Sequence, residues 1–92
     1  MAKYTKIETV EQLFKLVGAG HTDFFVQLNF GFRSSKYITP REEDGTLEVL
    51  NLIDDTTQTL TAEQIMDESY TNIGRAIKLG LFWMEDYERE VL

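Results

Sequence analysis

The 92-residue chain contains no cysteine. That excludes a disulfide framework, a zinc site of thiolate type and a thiol nucleophile, so the fold has to stand on packing alone, as intracellular proteins usually do. No run of residues approaches the about 20 apolar positions a membrane span needs, and the N-terminal MAKYTKIETVEQ has lysines but no apolar stretch of the kind a secretory signal carries. These absences point to a cytoplasmic protein without a membrane partner. The glycines form neither a GxGxxG nor a GxxxxGK[ST] array, which leaves a nucleotide cradle without support. Glu43-Asp44-Gly45 matches only a fragment of a calcium loop, so no metal and no cofactor is expected.

Catalytic residue sets are equally scarce. His21 is the one histidine, placed just after Gly20, with Asp23 two positions on and Ser34 and Ser35 more than ten residues away. A Ser-His-Asp set needs its base within hydrogen-bond reach of the nucleophile and an oriented third group, and nothing in this spacing provides them. His21 reads as a loop or cap residue. The adjacent acids Glu42-Glu43, Asp54-Asp55, Asp67-Glu68 and Glu85-Asp86 fall at expected turns and helix edges, where carboxylates serve solubility and capping. The chain is not expected to be an enzyme.

A chain this short makes one domain, residues 1–92, because two halves could not each offset their ordering entropy with a core. Its net charge is −7, distributed unevenly: residues 1–41 hold six Lys/Arg against three Asp/Glu, and residues 42–92 hold three against thirteen. Affinity for phosphate backbones comes mainly from Lys and Arg displacing counterions, so the balance argues against direct nucleic-acid binding.

Two Thr-x-x-Gln patterns mark helix starts. Thr9-Val10-Glu11-Gln12 opens a helix over about 10–18, with Val10, Leu13, Phe14 and Val17 on one face and Gly18 and Gly20 offering stops. Thr61-Ala62-Glu63-Gln64 opens a brief one ending near Met66 or Asp67. Thr71-Asn72 caps a last helix with Ile73, Ala76, Ile77 and Leu81 inward, ended by Gly80. From Phe24 the period changes to two: Phe24, Val26, Leu28, Phe30 and Phe32 face one way. Carrying that parity on would bury Ser34 and Lys36 beside Ile38, which is unfavourable, so a bulge or reversal is expected between Gly31 and Lys36. Tyr37-Ile38-Thr39 resumes as β-prone sequence closed by Pro40, and Glu43-Asp44-Gly45 reads as a hairpin turn. Thr46–Ile53 is a second strand, buried on both faces or bulged, since Leu47 and Val49 differ in parity from Leu50 and Leu52. Thr57–Leu60 adds a short third. Over Leu81–Met84 periodicity does not decide between a closing strand and more helix, and the order of residues 85–92, a candidate flexible tail, is left open. The expected architecture is α+β: a small antiparallel sheet of three to four strands, with an N-terminal helix and C-terminal helices packed on one face.

Two surfaces are candidates for binding. The first is the acidic set Glu42, Glu43, Asp44, Glu48, Asp54, Asp55, Glu63, Asp67 and Glu68, which would occupy a basic groove on a protein partner if turns and helix starts bring it together. The second is Arg33-Ser34-Ser35-Lys36, in which two cations flanking two hydroxyls could grip a phosphate or carboxylate. The plainer reading of that quartet is a polar bulge whose cations guard an exposed strand edge.

The segments Asn29–Lys36 and Thr71–Gly80 resemble patterns in small proteins carried by bacteria, phages and mobile elements. In size, acidity and lack of a catalytic set, the whole chain resembles anti-CRISPR and anti-restriction proteins. That class shares no motif, so the resemblance transfers no residues. It implies a stoichiometric inhibitor, phage-encoded, that blocks a nucleic-acid-handling defence protein such as a CRISPR or restriction nuclease through its acidic surface. The basic first half departs from the charge of a pure DNA mimic. Alternatives from other classes are a small-molecule or phosphate-binding regulatory module built on residues 33–36, and a structural protein that oligomerises, as a homodimer for example, through a strand edge or the Leu81–Met84 run.

Overall fold

A computed structural model of the chain describes residues 2–28, 33–41, 45–52 and 54–87. In chain order the elements are β1 (Ala2–Lys6), α1 (Val10–Gly18), β2 (Asp23–Gln27), β3 (Arg33–Arg41), β4 (Thr46–Asn51), β5 (Thr56–Leu60), α2 (Ala62–Met66), α3 (Ile73–Leu79) and β6 (Phe82–Tyr87). The strands form one sheet in the order β1-β6-β2-β3-β4-β5, every neighbouring pair antiparallel. The class is α+β as expected. The count of three to four strands is wrong: the described residues form six.

The difference has three sources. β1, AKYTK, carries little apolar signal and becomes a strand because β6 offers it an edge, with Thr5 opposite Met84 and Lys6 opposite Trp83. β3 pairs antiparallel with β2, Gln27 opposite Arg33, so it runs back along β2 rather than extending it. β3 is therefore an interior strand between β2 and β4, and its cations guard no edge. Finally, the run after Leu81 is a strand, β6, which pairs with both β1 and β2. It extends through Glu85 and Asp86, the first residues of the candidate tail; residues 88–92 lie outside the described residues, as do residues 29–32 of the expected long strand and the acids of the expected turn at 43–45.

The starts of α1 and α2 and the end of α3 follow the capping chemistry, whereas Asn72 precedes α3 without a side-chain cap bond. The Thr9 hydroxyl accepts from the Gln12 amide at 3.1 Å, while Gln12 reaches past the cap, accepting from the Glu8 amide and donating to the Lys6 carbonyl. Thr61 and Gln64 complete a reciprocal capping box. Gly80, at φ 72°, terminates α3 in the left-handed conformation that glycine adopts without penalty.

The helices share one face of the sheet and cover the core there. Phe24 and Val26 of β2, Ile38 of β3, Leu47 and Val49 of β4, Leu60 of β5, and Phe82 and Met84 of β6 are buried against Leu13 and Val17 of α1, Ile65 of α2, and Ile73, Ala76 and Ile77 of α3. β4 keeps a regular register: Leu47 and Val49 face the helices while Leu50, opposite Tyr37, lies on the other side, which resolves its mixed parity without a bulge. That other side is covered by no helix among the described residues and is knit by side chains. Tyr4 and Phe25 meet edge to face at 5.8 Å, Lys6 lies over the Trp83 ring, Arg33 lies over Phe25, and the Trp83 indole donates to Gln27.

A polar cleft around Lys36 as the candidate functional site

Pairing across the sheet fixes where the quartet at 33–36 points. Ser34 lies opposite Val26, and Lys36 lies between Phe24 on β2 and Asn51 on β4, so both side chains share the helix-facing side with the core. This is the arrangement the sequence disfavours, and it is nonetheless present: Ser34 is 8% exposed and Lys36 only 5%. Arg33 and Ser35 project to the opposite face. There Arg33 pairs with Glu85 at 2.8 Å, beside a separate hollow of about 210 Å³ that Ser35 and Leu52 also line. The quartet does not act as one unit, because strand alternation divides it.

Lys36 and Ser34 are tolerated inside because the apolar layer ends beside them. Past Val49 and Ile38, the same sheet face turns polar with Asn51, Thr56 and Gln58, and β5 is exposed from Thr56 to Thr59. The loop between α2 and α3 brings Tyr70, Thr71 and Asn72 up beside this floor. The result is a cleft of about 250 Å³ lined by Ser34, Lys36, Val49, Asn51, Asp54, Thr56, Gln58, Tyr70, Thr71 and Asn72.

The Lys36 amine donates to the Ser34 hydroxyl at 3.0 Å, its one hydrogen-bond partner among the described residues. An ammonium carries three donors, so two remain for a ligand or solvent. Burial lowers the Lys36 pKa below the usual lysine value, while the negative charge of Asp54 works in the opposite direction. Asp54 sits at the turn between β4 and β5, where its Oδ1 accepts from both the Thr56 hydroxyl (2.7 Å) and the Thr56 amide (3.3 Å). The Thr56 hydroxyl bond is the main reason its carboxyl titrates lower than usual, with the Thr56 amide and the Lys36 charge adding to it. Among the described residues, no direct ion pair joins Lys36 to Asp54.

The acidic set is dispersed. Glu48 projects from β4 on the face away from the helices, opposite Thr39, whereas Glu63 is in the first turn of α2 on the helix side. Asp67 caps α2 and accepts from the Ser69 amide, with Glu68 exposed beside it. Asp55 occupies the β4–β5 turn at φ 58° next to Asp54. Glu42, Glu43 and Asp44 lie outside the described residues. Of the six described acids only Asp54 lines the cleft, and no group of three or more potential metal ligands occurs among the described residues.

Sequence reasoning missed Asn51, Thr56, Gln58, Tyr70 and Asn72 as site residues. Their signal is faint: a polar residue on the inward parity of β4, and a β5 with almost no apolar side chains. No helix among the described residues is long and apolar enough to cross a membrane. Comparison with protein-family models, with curated proteins and with solved structures returns no match. The fold and cleft together define a small α+β protein with a charged, partly enclosed polar site on its sheet.

Proposed function

We propose that this chain is a small-ligand binding module whose cleft takes a solute bearing an anionic group, held by the Lys36 amine and the Ser34 hydroxyl. The observation that carries the reading is the burial of Lys36. Placing an ammonium at the end of a core row costs free energy unless something compensates, and one neutral hydroxyl is weak compensation. An incoming carboxylate or phosphate would complete the shell with charge-assisted bonds, which are about twice as strong as neutral ones. Lys36 serves as an anchor in this reading rather than as a nucleophile, and the protein regulates or sequesters without chemical turnover. The dispersal of the acids over both faces gives less support to an inhibitor acting through one acidic surface.

Thermal unfolding of the full chain in the presence of phosphate esters, short carboxylates and amino acids tests it. A ligand at 100 times its dissociation constant adds about 2.7 kcal/mol of stability, which raises the melting temperature measurably in the native protein and not in Lys36→Met. If no compound bearing an anionic group stabilises the native chain at millimolar concentration, the reading is wrong.

A further inference from the structure

The cleft offers more than a cation. Asp54 lies on its lining together with Lys36, and each charge acts on the other although no direct ion pair joins them among the described residues. The Asp54 Oδ1 is engaged by the Thr56 hydroxyl and amide, and the Asp54 side chain as a whole is exposed to the cleft. On the other side, two of the three Lys36 donors remain. Between them the neutral side chains of Asn51 and Gln58 line the floor.

We infer that the cleft is built for a small zwitterion of the α-amino acid class, its carboxylate on Lys36 and Ser34 and its ammonium on Asp54. This inference rests on the binding reading above and narrows it. Three features favour a zwitterion over a simple anion. The two charged groups of the lining cancel, so a ligand of net charge either way meets repulsion from one of them. The two groups line one cleft without a direct ion pair among the described residues, so neither satisfies the other and both face the same ligand space. The cleft volume of about 250 Å³ lies below the roughly 300–1,000 Å³ of sites that take drug-sized molecules, which suits a ligand as small as an amino acid. Neutral amides and hydroxyls along the floor and the Thr71-Asn72 wall then supply orientation, as such groups do in small-molecule sites.

The test is isothermal titration of the full-length native chain with acetate, inorganic phosphate, ethylammonium and each standard amino acid. The expected result is that at least one amino acid binds about tenfold or more tightly than acetate or ethylammonium. In Asp54→Asn, whose altered side chain is exposed and leaves the core intact, that amino acid falls to the level of acetate, while acetate binding is kept or improved. In Lys36→Met both are lost, with circular dichroism confirming the fold; should that variant unfold, Ser34→Ala weakens both ligands in its place. If simple anions bind and no amino acid exceeds them, or if Asp54→Asn leaves the preference unchanged, the zwitterion inference fails while the anion reading stands. If neither the amino acids nor the anions bind, both fall.

Discussion

Gly74 is where a single added carbon tests the packing behind the cleft. It occupies the second position of α3, and a Cβ built there would lie 2.5 Å from the Met66 Cα, 2.7 Å from the Ile65 carbonyl oxygen and 2.9 Å from the Met66 carbonyl carbon. All three are backbone atoms of the last turn of α2, so no side chain can rotate away. Restoring ordinary contact requires moving one helix by roughly 1 Å. Alanine gains about 1 kcal/mol over glycine in helix propensity. Overpacking costs typically about 1–3 kcal/mol, and an overlap against immovable backbone belongs at the top of that range. The net expectation for Gly74→Ala is a loss of about 2 kcal/mol, or a fall of about 8–16 °C in melting temperature for a domain of this size. Gly18 is the internal control: it ends α1, is exposed, and has nothing within 4 Å of a built Cβ. Gly18→Ala should therefore hold or gain a few tenths of a kcal/mol. Thermal unfolding followed by circular dichroism measures both. A Gly74→Ala protein melting at or above the native temperature would refute the argument that helix contact, rather than chance, selects glycine here.

Three further outcomes follow from the site and the open face. Lys36→Met should be neutral to stabilising by about 1 kcal/mol at pH 7. Because the folded-state pKa of Lys36 is lowered, native stability should rise as pH climbs from that lowered value towards 10.5, and the advantage of the methionine variant should shrink over the same window; a variant that melts several degrees below native at pH 7 contradicts this. Thr56→Val removes the main cause of the depressed Asp54 pKa, so the carboxyl should titrate closer to 3.8 by NMR. In the native protein the stabilising contribution of Asp54 is present above that value and lost as pH falls through the lower folded one; an unmoved titration in the variant would reject Thr56 as the cause. A double-mutant cycle on Arg33 and Glu85, whose side chains are 42% and 10% exposed, should return a coupling of about 1 kcal/mol, the upper end for surface pairs, that weakens with salt; a coupling above 2 kcal/mol would mean the pair is more desolvated than its geometry implies.

The helices were readable because their signals are local. Thr9 and Thr61 accept bonds only a few residues away and Gly80 needs only its own φ angle, which places the starts of α1 and α2 and the end of α3, whereas Asn72 precedes α3 without a side-chain cap bond. The sheet depends on partners far along the chain. AKYTK gives β1 no apolar alternation to read, and its strand character comes from β6 some eighty residues later. Residues 33–36 were misread for a related reason. The parity running from Phe24 through Ser34 to Lys36 is physically sound, and what made it look unfavourable was the assumption that the whole face is apolar. Whether a buried lysine opens onto a cleft depends on where the α2–α3 loop lies, and no local pattern encodes that. The acidic set shows the converse: nine carboxylates close in sequence invite one surface, but strand alternation sends Glu48 to the far side from Glu63.

The position of β6 bears on how the chain assembles. During synthesis, at about 5–20 residues per second, β2, β3, β4 and β5 can pair in succession as hairpins while β1 waits without a neighbour and β2 keeps a bare edge. Both are satisfied at once when residues 82–87 slide between them. Among the described strands, β6 thus acts as a keystone. A chain stopped at Leu81 would leave an incomplete sheet with the β2 edge unpaired beside exposed Phe24 and Val26, the kind of surface that seeks a strand from another molecule.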